Sequence, residues 1–255
     1  DWVSMLEDEF NNIPTKRFTS EIYSEKITGD YEKQMLEAKL RPYNYQNKII
    51  NIVLDKFKSE DKGKIILPCG SGKTLISLWI KESLECKKTI FFVPSLSLLK
   101  QTFEVWDSNK SQEYSTLAVC SDTSISIDED EYVVNALDLK NRSLINVTTK
   151  VSEIYDFLNE NDNFVIFCTY HSSGRLVEAL QKSNSKIDFA IYDESHNVAQ
   201  AKSKEYAGFF IKSHEIKSAK KLFMTATPKI IHSNEMIKRE FDIFSMDDEG
   251  IFGKM

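Results

Sequence analysis

The sequence has no apolar run long enough to cross a membrane. Its longest runs, such as Phe164–Cys168 and Thr89–Val93, are a few residues each, whereas a membrane-spanning helix needs about 20. No charged-then-apolar segment of the secretory type opens the chain. We therefore expect no membrane partner and a reducing, cytoplasmic location.

Paired cysteines are also lacking. The 4 cysteines, Cys69, Cys86, Cys120 and Cys168, are scattered without a CxxC pair, and zinc sites need clustered Cys and His ligands. Three of them lie in or beside apolar runs, which predicts buried free thiols.

Basic residues are not in excess, because the formal net charge is −6. A protein that grips nucleic acid through a broad basic face is usually basic overall. Any such contact here must therefore be a local groove built from backbone amides and a few side chains. The hydrophobic fraction of 41% provides ample material for a globular core.

Two regions differ in pattern. Residues 1–39 are charged and lack strand-like runs, which predicts an N-terminal helical extension. From residue 40 to 255, short apolar β-type runs alternate with helical ones, which indicates an α/β domain whose parallel sheet is covered on both faces. The predicted strands are Lys64–Leu67, Thr89–Val93, Leu117–Cys120, Phe164–Cys168, Asp188–Tyr192 and Lys221–Thr225, and the predicted helices are Tyr45–Phe57, Lys73–Glu85 and Leu96–Trp106.

An acidic stretch, Ser121–Lys150, interrupts this alternation. Its strand signals are weak, and runs of like charge are usually solvated. We expect a solvated insertion.

A glycine-containing turn gives the strongest chemical signal. Gly70, Ser71, Gly72, Lys73 and Thr74 follow a predicted strand and open a predicted helix. Glycines let backbone N–H groups approach phosphates closely, and the helix N-terminus favours negative charge. Lys73 would then contact the β- and γ-phosphates, and the Thr74 hydroxyl would bind Mg²⁺. The bland alternative is a strand-to-helix turn with an exposed lysine.

Two carboxylates, Asp193 and Glu194, end another buried strand. Side chains at the carboxyl ends of sheet strands face the crevice where ligands bind. Asp193 would hold Mg²⁺ and Glu194 would orient and deprotonate the attacking water. Further along, Thr225 and Thr227 end a strand and, with His196, could form a hydrogen-bonded bridge from the hydrolysis site.

These segments resemble the motifs of superfamily 2 helicases and translocases of the DEAD/DEAH-like type. Gly70–Thr74 is similar to their motif I, Asp193–His196 to motif II with serine in place of alanine, and Thr225–Thr227 to motif III. Leu40–Gln46 is similar to the upstream segment that reads adenine, which implies an ATP-binding role for Gln46 and Arg41. The resemblance implies a RecA-like fold with ATP and Mg²⁺ as ligands.

The same resemblance implies contacts with nucleic acid. Two segments are similar to motifs that touch the phosphate backbone of one strand, a mode of contact that carries no sequence information. The residues it assigns to nucleic-acid binding are Pro94, Ser95, Lys100, Gln101, Thr169 and Tyr170.

The implied function is the first motor domain of an ATP-dependent DNA helicase or translocase. The order and spacing of the motifs resemble those of motors of DNA restriction systems and related bacterial or viral helicase-like proteins. Because viral proteins are among these, the expected location extends to the interior of an infected host cell. The second RecA-like domain, which supplies arginines to the γ-phosphate, is expected to lie elsewhere in the parent chain, so this fragment should hydrolyse ATP poorly. An RNA helicase, a nucleotide-regulated scaffold and a small-molecule kinase remain alternatives.

Overall fold

The computed structural model describes residues 40–120, 145–195 and 216–227. The predicted extension 1–39 and residues 121–144 of the acidic stretch lie outside these ranges. The elements, in chain order, are α1 (Asn44–Lys56), β1 (Lys62–Ile66), α2 (Lys73–Ser83), β2 (Lys88–Val93), α3 (Leu96–Asn109), β3 (Ser115–Val119), β4 (Asn146–Thr148), α4 (Val151–Glu160), β5 (Phe164–Thr169), a 3₁₀ turn (Tyr170–Ser172), α5 (Ser173–Lys182), β6 (Ile187–Tyr192) and β7 (Ser218–Thr225).

The described strands form one sheet in the order β1-β7-β6-β2-β5-β3-β4. Every pairing between neighbours is parallel. All carboxyl ends therefore lie at the same edge of the sheet. The strand β7 stands between β1 and β6, so it separates the strand before the glycine turn from the strand before the acid pair.

Helices cover both faces of the sheet, as the sequence predicts. In β6, Phe189 and Ile191 pack into the core beneath α1, α2 and α3. The alternate residues Ala190 and Tyr192 pack into the core beneath α4 and α5. Successive side chains of a strand point to opposite faces, so strands buried on both sides must be apolar throughout.

One prediction about the acidic stretch is wrong at its end. Asn146–Thr148 is not part of a solvated insertion, because it forms β4 and pairs with Leu117–Val119 of β3. This edge strand is three residues long and only Thr148 is buried, so it has too little apolar alternation to be recognised. The sequence also failed to locate α4 and α5.

The cysteines agree with the sequence analysis. Cys86, Cys120 and Cys168 are buried free thiols, and Cys69 in the glycine turn is exposed. Within the described residues, no helix is both long and apolar enough to cross a membrane.

Candidate nucleotide-binding site

The turn between β1 and α2 depends on two glycines. Gly70 and Gly72 have φ angles of 78° and 77°, a left-handed conformation that disfavours residues with a Cβ. A Cβ added to Gly70 would meet nothing within 4 Å, so the turn is open there. A Cβ on Gly72 would lie 2.6 Å from Gln46 Nε2, so the turn is crowded on that side.

Lys73 and Thr74 form the first turn of α2, directly after this loop. The Lys73 ammonium donates to the Leu67 carbonyl at 3.1 Å and the Pro68 carbonyl at 3.3 Å. The Thr74 carbonyl accepts from Trp106 Nε1 of α3 at 3.0 Å. The start of α2 is thus tied both to the loop and to the neighbouring helix.

Gln46 connects α1 to the glycine turn. Its Nε2 donates to the Ser71 carbonyl at 3.1 Å, and its Oε1 accepts from the Tyr43 amide at 2.9 Å. The Tyr45 hydroxyl donates to the same Ser71 carbonyl at 3.0 Å. The structure therefore brings Gln46 to the loop and buries it to 3% exposure, while Arg41 lies exposed two residues before Tyr43.

The acid pair follows β6. Asp193 is 7% exposed. Burial, with a smaller contribution from the Glu194 carboxylate, raises the pKa of Asp193 to about 6, although the Glu194 amide and the Lys73 ammonium act in the opposite direction. Glu194 has a φ of 46°, a strained conformation of the kind found at functional sites.

Hydrogen bonds at the end of β7 hold the two motifs together. The Leu67 amide, just before the glycine turn, donates to the Thr225 carbonyl at 3.0 Å, and the Ser195 amide, just after the acid pair, donates to the Met224 carbonyl at 2.9 Å. The strands β1 and β6 are two steps apart in the sheet, or about 10 Å. The Lys73 ammonium lies close enough to Asp193 to oppose, by a small amount, the rise in the pKa of this carboxyl.

The donor set at this edge fits a magnesium–nucleotide complex. Backbone amides and an ammonium group suit phosphate oxygens, and a hydroxyl with a carboxylate suits Mg²⁺, which prefers oxygen ligands. The open space beside Gly70 gives access to the loop. Thr74 and Asp193 are the residues that would hold the metal.

The structure describes two of the three residues that were predicted to form a hydrogen-bonded bridge from the hydrolysis site, namely Thr225 and Thr227. Thr225 is fully buried, and its hydroxyl accepts from the Thr227 amide at 3.2 Å in a local turn. His196 lies outside the described residues, so the bridge that it would complete stays a prediction. A link that the sequence analysis missed is made by Ser195, whose hydroxyl donates to the Met224 carbonyl at 3.0 Å.

The residues assigned to nucleic-acid binding lie at the same sheet edge, after β2 and β5. Pro94, Ser95 and Lys100 are half-buried and Gln101 is exposed. The Ser95 hydroxyl caps α3 by accepting from the Leu98 amide at 3.3 Å.

Thr169 and Tyr170, in contrast, are buried at 6% and 3% exposure. The Tyr170 hydroxyl donates inward to the Asp193 carbonyl at 2.8 Å, so contact of Tyr170 with nucleic acid could only involve its main chain.

The anchoring roles of three side chains were not predicted from the sequence: Tyr45, Trp106 and Tyr170 each donate to a backbone carbonyl of a motif residue. The available signal was weak. Aromatic residues at helical or strand spacing ordinarily belong to the core, and only the fold shows where their polar atoms point.

The parallel sheet, the glycine turn after its first strand and the acid pair beside it define a RecA-like motor domain of the superfamily 2 helicase type. The chain belongs to the family described as Type III restriction enzyme, res subunit, which it matches over residues 39–230.

Two similar proteins of known structure are enzymes of restriction systems. The ATP-dependent Type ISP restriction-modification enzyme LlaBIII, solved bound to DNA, is 30% identical with a TM-score of 0.68 over 86% of this chain and 15% of its own. A nuclease-deletion mutant of the Type ISP enzyme LlaGI, solved with a DNA substrate mimic, is 28% identical with a TM-score of 0.62 over 84% of this chain and 19% of its own.

A probable helicase of African swine fever virus is 25% identical over 77% of this chain. The chain spans only 20% of the length of that viral protein.

Proposed function

We propose that this chain is the ATP-binding first motor domain of an ATP-dependent DNA helicase or translocase. One observation carries the proposal, which is a pair of hydrogen bonds to consecutive carbonyls at the end of β7. The Leu67 amide, at the glycine turn, donates to Thr225, and the Ser195 amide, at the acid pair, donates to Met224. Lys73 and Asp193 are thereby assembled at one edge of the sheet, where a single nucleotide could contact both.

Each group then has a role that its chemistry allows. The loop amides and Lys73 would bind the phosphates, and Gln46 and Arg41 would lie toward the base. Thr74 and Asp193 would hold Mg²⁺, which supplies charge neutralisation at the phosphates. Glu194 would orient and deprotonate the attacking water.

DNA is the proposed track because two similar restriction-modification enzymes were solved with DNA or with a DNA substrate mimic. The acidic balance, −6, suits a grip by the turns after β2 and β5 rather than by a basic face. Full activity would need a second RecA-like domain of the same parent chain, so the isolated fragment should hydrolyse ATP slowly. We place the protein in the cytoplasm, or in an infected cell if it is viral.

The test is DNA-stimulated ATP hydrolysis by the full-length protein. Lys73→Ala should lower the rate on the order of 100-fold, the usual cost of removing one preorganised charge-stabilising group. Lys87→Ala is the matched control, because Lys87 is exposed at the opposite, amino end of β2. An unchanged rate in Lys73→Ala would contradict the proposal.

Two further measurements separate the alternatives. Stimulation by RNA strands but not by DNA would favour an RNA helicase motor. For a nucleotide-regulated scaffold, Glu194→Gln would leave every activity intact, whereas for a motor it should abolish hydrolysis and keep ATP binding.

A further inference from the structure

Four aromatic rings form a continuous stack through the carboxyl-terminal half of the sheet. We call Tyr170, Phe92, Tyr192 and Phe223 the aromatic ladder. The ring centroids are 5.9 Å apart for Tyr170–Phe92, 5.1 Å for Phe92–Tyr192 and 4.7 Å for Tyr192–Phe223, and the interplanar angles are 12°, 17° and 17°. The ladder crosses from the turn after β5, through β2 and β6, to β7.

One end of the ladder holds the backbone of the acid pair. Tyr170 is 3% exposed, and its hydroxyl donates to the Asp193 carbonyl at 2.8 Å. The Asp193 amide donates to the Phe92 carbonyl at 2.9 Å. Both peptide groups of Asp193 are therefore fixed by ladder residues, one by a side chain and one by a main chain.

The turn that carries Tyr170 is itself ordered by local contacts. The Thr169 hydroxyl donates to the Ser172 hydroxyl at 3.2 Å, and both residues are buried. His171 is exposed between them. A displacement of this turn would move the Tyr170 hydroxyl, because the packed ring cannot reorient independently of its backbone.

We propose that Tyr170 is a positioning residue that sets the Asp193 carboxylate for magnesium binding through the hydroxyl–carbonyl bond, rather than a residue that grips nucleic acid with its side chain. The inference rests on the proposed function, since it assumes that Asp193 binds the metal. It also makes the position of Asp193 depend on the turn after β5, which is one of the turns proposed to meet DNA.

The test uses Tyr170→Phe in the full-length protein, which keeps the stacked ring and removes only the hydroxyl. Tyr114→Phe is the matched control, because Tyr114 is also buried and its hydroxyl has no hydrogen-bond partner among the described residues. Both variants are assayed well below their thermal midpoints.

Two readouts are measured for each variant. Loss of a group that orients a metal ligand typically lowers metal affinity or activity by about 10-fold to 100-fold. In Tyr170→Phe we expect a rise of at least about 10-fold in the Mg²⁺ concentration that half-saturates binding of a fluorescent ATP analogue. In DNA-stimulated hydrolysis at fixed Mg²⁺, kcat should fall while the half-saturating DNA concentration stays constant.

Three results would overturn the inference. These are an unchanged Mg²⁺ dependence in Tyr170→Phe, an equal loss in Tyr114→Phe, or a change confined to the half-saturating DNA concentration, which would mark Tyr170 as a DNA contact. Failure of the proposed function is distinguishable, because it would appear as hydrolysis that does not depend on Lys73 in the parent protein, while the Mg²⁺ titration of nucleotide binding still tests Tyr170.

Discussion

Replacing Gly72 with alanine should destabilise the nucleotide-free protein about three times as much as the same change at Gly70. Both glycines have nearly equal positive φ angles, 77° and 78°. An alanine in this conformation costs about 1 kcal/mol at either position. The difference must therefore come from what each new Cβ meets.

At Gly72 the new Cβ would lie 2.6 Å from Gln46 Nε2, and the Gln46 side chain would have to move. It would then lose its bonds to the Ser71 carbonyl and the Tyr43 amide. Two hydrogen bonds at about 1 kcal/mol each, added to the backbone cost, give about 3 kcal/mol. At Gly70, where a Cβ meets nothing within 4 Å, only the backbone cost remains.

Urea unfolding without nucleotide measures both values. Gln46→Ala provides a double-mutant cycle, because in that background the clash is absent and Gly72→Ala should cost only about 1 kcal/mol. Equal costs for Gly70→Ala and Gly72→Ala, or an undiminished cost in the Gln46→Ala background, would refute the reasoning.

Two more stability predictions concern buried charges. The pKa of Asp193 is raised to about 6, so the folded state binds this proton more tightly than the unfolded state. The contribution of Asp193 to the free energy of unfolding is therefore present below about pH 4 and is lost as the pH rises through 6. Asp193→Asn should therefore stabilise the metal-free protein at pH 7.5 by up to about 3 kcal/mol and have little effect at pH 4, while abolishing hydrolysis; equal effects in urea titrations at both pH values would contradict this. Lys81 is fully buried over the Tyr114 ring, its ammonium has no hydrogen-bond partner among the described residues, and burial lowers its pKa. Lys81→Met should leave the free energy of unfolding unchanged or raise it by about 1 kcal/mol, because replacing a buried charge with an apolar group often stabilises a protein. A loss of stability in the same urea assay would show that the contact with the Tyr114 ring outweighs the desolvation of the ammonium.

Much of the fold followed from periodicity. The six strands named from the sequence all exist, with ends shifted by a few residues. In a short apolar run such as Phe164–Cys168, the side chains on both faces of the strand are apolar. Such a run therefore predicts a sheet that is buried on both sides. The edge strand Asn146–Thr148 escaped this reasoning because it lacks an apolar alternation.

The residue types of the candidate site could be read from the sequence, but the contacts between them could not. Glycines at 70 and 72, followed by Lys73 and Thr74, indicate a phosphate-binding turn because few other conformations need that set of residues. Nothing in the sequence indicates that Tyr170 would turn inward toward Asp193. An aromatic residue after a strand fits a surface turn and a core position equally well.

The sequence by itself determined which candidate groups follow which strands, because glycines, an ammonium group and carboxylates are properties of single residues. Only the tertiary structure decided that β7 would be inserted between β1 and β6. Strand order depends on long-range pairing, which no local pattern encodes. Because of this insertion, the Thr225 carbonyl accepts from the glycine-turn side and the Met224 carbonyl accepts from the acid-pair side.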